Sequence, residues 1–170
     1  MQRMDLVKKT VDYITKVIEY ILLALFIVMV AVIFGQVVTR YIFHKSLYWA
    51  EELGIYTMIW SCFLGTAIAV RKKAHTRMGF FVGLLSVKKQ VIMEIFVNLL
   101  CMAWMCVITN YAFKVTAIGL RNISTGLKIP LGYIYFSLPL SGIIMIFYFI
   151  VLSIEQVLNY REIRKEDTKK

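Results

Sequence analysis

Four stretches of this chain, residues 20–39, 53–70, 95–113 and 129–154, contain no Asp, Glu, Lys, Arg or His. They run for 20, 18, 19 and 26 residues, and about 20 apolar residues of helix cross the hydrocarbon core of a bilayer. Inside that core each backbone N–H and C=O must be satisfied within the chain, so segments of this kind fold as helices. The expected fold is therefore an all-α integral membrane protein with four transmembrane helices, accompanied by interfacial amphipathic helices. The spans are expected at about 19–40, 52–70, 93–114 and 130–155, in a single membrane domain covering residues 1–170. Composition agrees: 60% of the residues are hydrophobic, and the mean hydropathy is +0.73.

The net charge of +10 would suggest nucleic acid as a partner in a soluble protein. Here its distribution points to topology instead, and no nucleic-acid partner is expected. The N-terminal tail, the middle loop and the C-terminal tail together hold fifteen Lys and Arg, against five in the two remaining loops. Cationic loops stay cytoplasmic, so both termini and the middle loop are expected on that side. The first apolar stretch exceeds a signal-peptide core, and no small-x-small cleavage pattern separates it from Arg40.

Residues 1–18 place Met4, Val7, Val11, Ile14 and Ile18 at steps of three and four, the stripe of an amphipathic helix. Asp5 with Lys9, and Asp12 with Lys16, set opposite charges at i, i+4 on the other face. This segment reads as a helix lying in the membrane interface. Residues 79–87, GFFVGLLSV, are too short to cross and read as a second interfacial segment. Lys8, Lys9, Lys16, Arg71, Lys72, Lys73, Lys88 and Lys89 are expected against anionic headgroups. The third helix is expected to pass beyond Lys114, and residues 156–170 form a cytoplasmic tail.

Ser61, Gly65 and Ala69 recur every fourth residue and would let another backbone approach closely. Ser137 and Ser141 share that spacing in the fourth span. Pro139, inside the same span, removes an amide donor and displaces the carbonyl of Tyr135, which predicts a kink. Asn98 and Asn110 offer amides to neighbouring helices.

Candidate chemistry is sparse. No span holds an interior ionisable side chain, whereas ion pumps and proton relays need one at membrane depth. His44 and His75 fall on opposite faces, which excludes a shared haem. No nucleophile–base–acid set and no glycine-rich phosphate loop occurs. Cys62, Cys101 and Cys106 lie inside spans without a C-x-x-C pattern. No enzyme activity, cofactor or metal is expected. Interaction remains. Arg40, Trp49, Glu51 and Glu52 gather at the outer surface, where a helix N-terminus tolerates carboxylates. Neighbouring helical residues point about 100° apart, so one glutamate can face solvent while the other faces a protein groove.

Three segments, RYIFHKSLYWAEEL (40–53), AVRKKAHTRMGF (69–80) and IPLGYIYFSLPLSG (129–142), resemble the signature regions of the small, DctQ-type membrane subunit of tripartite ATP-independent periplasmic (TRAP) transporters. The resemblance covers nearly the whole chain in length, spans and motif order. Lys73-Ala74-His75-Thr76 departs from the G-x-H-V frequent in that family. The resemblance implies a bacterial inner-membrane complex in which a periplasmic substrate-binding protein captures an organic acid or an acidic sugar such as sialic acid. A large membrane subunit moves the substrate inward, driven by sodium, and the small subunit braces it. The interface expected on that basis comprises Arg40, Trp49, Glu51, Glu52, Ser61, Gly65, Ala69, Pro130, Tyr133 and Pro139. The rival readings are a self-sufficient homo-oligomeric small transporter or exporter and the membrane anchor of a redox enzyme.

Overall fold

A computed structural model describes the backbone of residues 2–45, 47–72 and 87–167 and the side chains of 9–45, 47–72 and 90–158. Four long helices account for most of it: α1 Gln2–Ile42, α2 Tyr48–Arg71, α3 Val87–Gly119 and α5 Ser137–Asp167. A single turn, α4 Gly132–Tyr135, precedes α5. Each long helix contains a segment long and apolar enough to cross a membrane. No strand occurs among the described residues; one isolated antiparallel bridge joins Ile123 to Pro130.

The helices pack in the order α1, α2, α5, α3, with α2 and α5 central. Half of the apolar window of α5 and a third of that of α2 are buried, but none of α1's and very little of α3's. Side chains such as Phe26, Phe34, Phe96 and Trp104 on the two outer helices therefore point away from the protein. Polar contacts at both ends and close backbone approach in the middle hold the four together. Gly65 approaches Leu22 of α1, and Gly54 approaches Ile33. The small-residue row expected at Ser61, Gly65 and Ala69 thus faces the first helix and extends to Gly54, Ala50 and Thr57, all three buried. On the other side Ser137, Ser141 and Gly142 are buried, and Gly142 lies directly against Thr109 of α3.

At the expected kink the helical path is loosened, not broken. Between α4 and α5 Phe136 keeps helical dihedrals (φ −61°, ψ −21°), donates to Gly132 O at 2.9 Å and accepts from Leu140 N–H at 3.2 Å. It lies one turn before Pro139, which lacks the N–H that would bond Tyr135 O. The Ser137 hydroxyl bonds Ile134 O at 2.7 Å, so the loosened turn keeps one carbonyl satisfied. The third helix does continue past Lys114, to Gly119. The fourth runs on to Asp167, so the segment expected as a cytoplasmic tail from residue 156 is helical as far as Asp167.

The N-terminal segment differs from expectation in a way that matters. Residues 2–18 are continuous with the first span rather than a separate helix. Within the described part of the apolar stripe, Val11 (1% exposed) and Ile18 (7%) face protein, whereas Ile14 is exposed. Val11 joins a core with Ala67, Val70 and Tyr148. Thr15 Oγ1 lies 3.0 Å from the hydroxyl of Tyr148, which is wholly buried. A stripe over the headgroups would leave Tyr148 without that partner, and a buried hydroxyl without one is costly. The proposed interfacial segment 79–87 falls, except for Val87, outside the described residues, as do His75 and Lys73.

Candidate functional site

Two polar clusters mark the opposite ends of the bundle. The first is built on Glu52, in the first turns of α2. After α1, His44 adopts a left-handed conformation (φ 51°) and turns the chain towards Tyr48. The segment between α3 and α4 forms a small excursion, closed by Ser124 N–H to Ile129 O at 2.9 Å and Leu131 N–H to Asn122 O at 2.8 Å. Its tip lies on the start of α2. Glu52 Oε1 accepts from Gly126 N–H at 2.8 Å and from Thr125 Oγ1 at 2.9 Å. Oε2 accepts from Leu127 N–H at 2.9 Å and from the Tyr56 hydroxyl at 3.3 Å. Both oxygens act only as acceptors, the pattern suited to a carboxylate. Glycine at 126 suits this approach, because a Cβ there would meet the Glu52 carboxyl carbon at 3.0 Å and Tyr48 O at 3.2 Å, and both would have to yield.

This arrangement separates the two glutamates. Glu51 is exposed, whereas Glu52 faces a groove supplied by its own chain. Glu52 as a contact for another protein is therefore corrected: its donors are already provided from residues 125–127. Trp49 is 45% exposed and Tyr133 64%. Arg40 is exposed as well, and Pro130 lies half-buried in the bridge. Pro139 is fully buried, which gives it an internal shaping role in place of a partner contact.

The second cluster is built on Arg71, the last residue of α2. Its guanidinium reaches Asp12 of α1 at 3.0 Å and Glu155 of α5 at 3.3 Å. The Arg71 side chain is 14% exposed, so its expected place among headgroups is corrected: two carboxylates enclose it, because the planar fork can serve two acceptors at once. Lys72 pairs with Glu19 at 2.7 Å and stays largely exposed. Lys9 and Lys16 are exposed; the side chains of Lys8, Lys88 and Lys89 lie outside the described set.

A third polar set links α3 to α5 near the same end. Asn98, 2% exposed, donates to Gln156 Oε1 at 2.9 Å, and Gln156 donates to Glu94 at 2.9 Å. Asn98 thus bonds across helices as its position suggested, whereas Asn110 is exposed. Sequence reasoning missed Gln156 and Tyr148. Tyr148 sits in an apolar stretch of its helix and Gln156 beside Glu155 at the start of its charged end, so neither position reveals from sequence that its polar group faces another helix. No group of three or more metal-ligating side chains occurs among the described residues. What the polar groups accomplish is fastening: α1 to α2 and α5, α2 to the distant loop, and α3 to α5.

Comparison with known proteins identifies what is being fastened. Residues 29–159 match the family model of the tripartite ATP-independent periplasmic transporters, DctQ component. The chain is 29% identical over 126 residues to the sialic acid TRAP transporter permease protein SiaT of Haemophilus influenzae (strain 86-028NP), covering 74% of this chain and 20% of that protein. It is 25% identical over 121 residues to the sialic acid TRAP transporter small permease protein SiaQ of Vibrio cholerae serotype O1 (strain ATCC 39315 / El Tor Inaba N16961), covering 70% of this chain and 69% of that one. The chain therefore spans only about a fifth of the first relative. That family comprises components of transporters, not enzymes. With four membrane-crossing helices and a match over most of its length, this chain belongs to the DctQ component family of TRAP transporters.

Proposed function

We propose that this chain is the small, non-catalytic scaffold subunit of a sodium-driven, binding-protein-dependent transporter. On this reading it packs against a large transport subunit in a bacterial inner membrane and stabilises it there, with both termini cytoplasmic. The transported substrate is an organic acid or acidic sugar; sialic acid is the first candidate, because the relatives' names carry it. The observation that most directly supports a scaffold is the use made of the polar side chains. Glu52, Arg71, Asn98 and Gln156 all hold helices or loops of this chain together. The spans themselves carry no ionisable group for coupling ion flow to transport. The apolar faces of the outer helices α1 and α3 are free for a large membrane partner. Arg40, Trp49, Glu51 and Tyr133, all exposed at the Glu52 end, are the residues proposed to meet the large subunit or the docked binding protein.

Co-purification and reconstitution test this reading. The chain is expected to co-purify from its native membrane with a large polytopic subunit. Liposomes holding both subunits, supplied with the binding protein, should take up substrate with sodium, and liposomes holding this chain alone should not. Uptake by the chain alone would instead establish a self-sufficient homo-oligomeric transporter. Glu51→Gln should lower transport or the yield of complex while leaving this chain folded.

A further inference from the structure

The two ends of the bundle use their charges differently. All three ion pairs among the described residues lie at the Arg71 end: Arg71 with Asp12 and with Glu155, and Lys72 with Glu19. At the Glu52 end, Arg40, Lys45, Arg121 and Lys128 are all exposed, and none of them takes part in those pairs. The carboxylate best placed to neutralise them is held by neutral donors instead, the amides of Gly126 and Leu127 and the hydroxyls of Thr125 and Tyr56. Lys128 follows directly on Leu127, yet its ammonium stays outside the clasp. It also holds a left-handed backbone (φ 54°), a conformation easier for glycine, so the loop keeps a cation there against conformational preference.

The fold gathers these cations around the start of α2. The helices α1 and α2 pack antiparallel, Leu22 against Gly65 and Ile33 against Gly54. That register carries Arg40 to the level of Leu47 and Tyr48, with Lys45 in the turn that follows. The loop reaches the same place, since Gly126 lies against Tyr48 O and the Glu52 carboxyl. Among the described residues at this end, Glu51 alone adds an exposed carboxylate.

We propose, resting on the scaffold reading above, that this end of the bundle is a cationic platform that docks an acidic face of the soluble substrate-binding protein, with Glu52 positioning the loop cations. Four cations against one exposed carboxylate favour a negatively charged partner and steer it from a distance. A layer of anionic headgroups is the poorer match on two counts. Its phosphates move independently and gain nothing from cations held in place by a clasp, whereas a folded acidic face does. Glu51, set within the patch, repels an anionic membrane but can pair with a single cation on a protein and so fix the register.

The test is association of the binding protein with the complex of both membrane subunits in nanodiscs, at about 0.1 M and about 1 M salt, where the Debye length is about 10 Å and about 3 Å. Arg121→Glu combined with Lys128→Glu should slow association by about tenfold at the lower salt, the small end of the range for steered encounters, and by far less at the higher. If that double reversal lowers the yield of complex, Arg121→Gln with Lys128→Gln takes its place. Lys16→Glu, exposed at the Arg71 end, should change nothing. Glu52→Gln separates charge from position, because it makes the patch more positive by one unit. Charge alone would then tighten binding, whereas a positioned platform should lose about threefold or more in affinity, as the freed loop cations must be ordered on docking. Association indifferent to the double reversal, or tighter binding by Glu52→Gln, would overturn the proposal. So would an effect of the reversal that appears in phosphatidylglycerol nanodiscs and vanishes in phosphatidylcholine ones, since the cations would then serve headgroups. Failure of a large subunit to co-purify refutes the scaffold reading and the platform with it, whereas a complex that transports normally with the reversed charges refutes the platform alone.

Discussion

Removing the guanidinium of Arg71 should weaken the bundle unequally along its two arms. Glu155 is 22% exposed and meets Arg71 Nη1 through both carboxylate oxygens at 3.3 Å. Asp12, at 3.0 Å, is 61% exposed. Water can solvate Asp12 when its partner is lost, so that arm falls in the surface range, about 0.5 kcal/mol. Glu155 cannot be solvated as fully. Breaking a fully buried pair costs about 3–5 kcal/mol, and partial exposure brings the Glu155 arm down to about 1–2 kcal/mol. Arg71→Ala should therefore destabilise by about 2 kcal/mol in total. Arg71→Lys should recover less than half, since an ammonium cannot span two acceptors as a planar fork does. The assay is unfolding in mixed detergent micelles, followed by circular dichroism, with double-mutant cycles pairing Arg71→Ala with Glu155→Ala and with Asp12→Ala. Lys72→Ala is the control. The Lys72–Glu19 pair is shorter, at 2.7 Å, but 62% and 38% exposed, and its loss should stay within about 0.5 kcal/mol. Coupling to Asp12 equal to or larger than that to Glu155 would refute the reasoning, since exposure would then not govern the pair. So would a Lys72→Ala effect as large as that of Arg71→Ala.

The other predictions concern the loop and the helix contacts. Glu52→Gln replaces one acceptor oxygen with an amide that faces donors, so amide exchange at Gly126 and Leu127 should accelerate while that in mid-α2 is unchanged; hydrogen-exchange mass spectrometry reads both. Gly132→Ala would drive a Cβ into the side chain and backbone nitrogen of Leu120, costing about 1–3 kcal/mol by thermal unfolding. Gly35→Ala meets nothing within 4 Å and should be neutral or stabilising by up to about 1 kcal/mol. Asn98→Ala, read by the same unfolding assay, should cost about 0.6–1.7 kcal/mol, the range for hydrogen bonds between membrane helices.

The spans were legible because the bilayer imposes one rule on every residue within it, and 20–39 or 129–154 obey that rule without exception. Pro139 was legible for a local reason: a missing N–H acts on the carbonyl four residues back. Arg71 was misread because its partners lie 59 and 84 residues away. A cation at the end of a span has the same local signature whether it meets a phosphate or a carboxylate. The N-terminal stripe was misread likewise. Val11 and Ile18 have helical spacing under either reading, and periodicity gives the face of a helix without naming what covers it. Tyr148, in an apolar stretch of its helix, settles the matter only once its hydroxyl is seen beside Thr15.

The separation of the two charged fasteners has a physical logic. Glu52 lies just past the first turn of α2 and Arg71 is its last residue, and each binds partners from distant parts of the sequence. Charges at these positions sit where water and headgroups limit the desolvation cost, whereas the same groups at mid-span would face hydrocarbon. Between the ends, backbone proximity takes over, and this is why Gly54, Gly65 and Gly142 occupy the helix contacts. With α2 pinned at both ends and closely packed along its length, α1 and α5 are fixed relative to each other through it. With α3 fastened to α5 as well, the apolar outer faces of α1 and α3 are held as one stiff frame, which the proposed scaffold role would use against a large membrane partner. If the proposed scaffold reading holds, variants at Glu52 and Arg71 should lower the yield of the complex by loosening that frame.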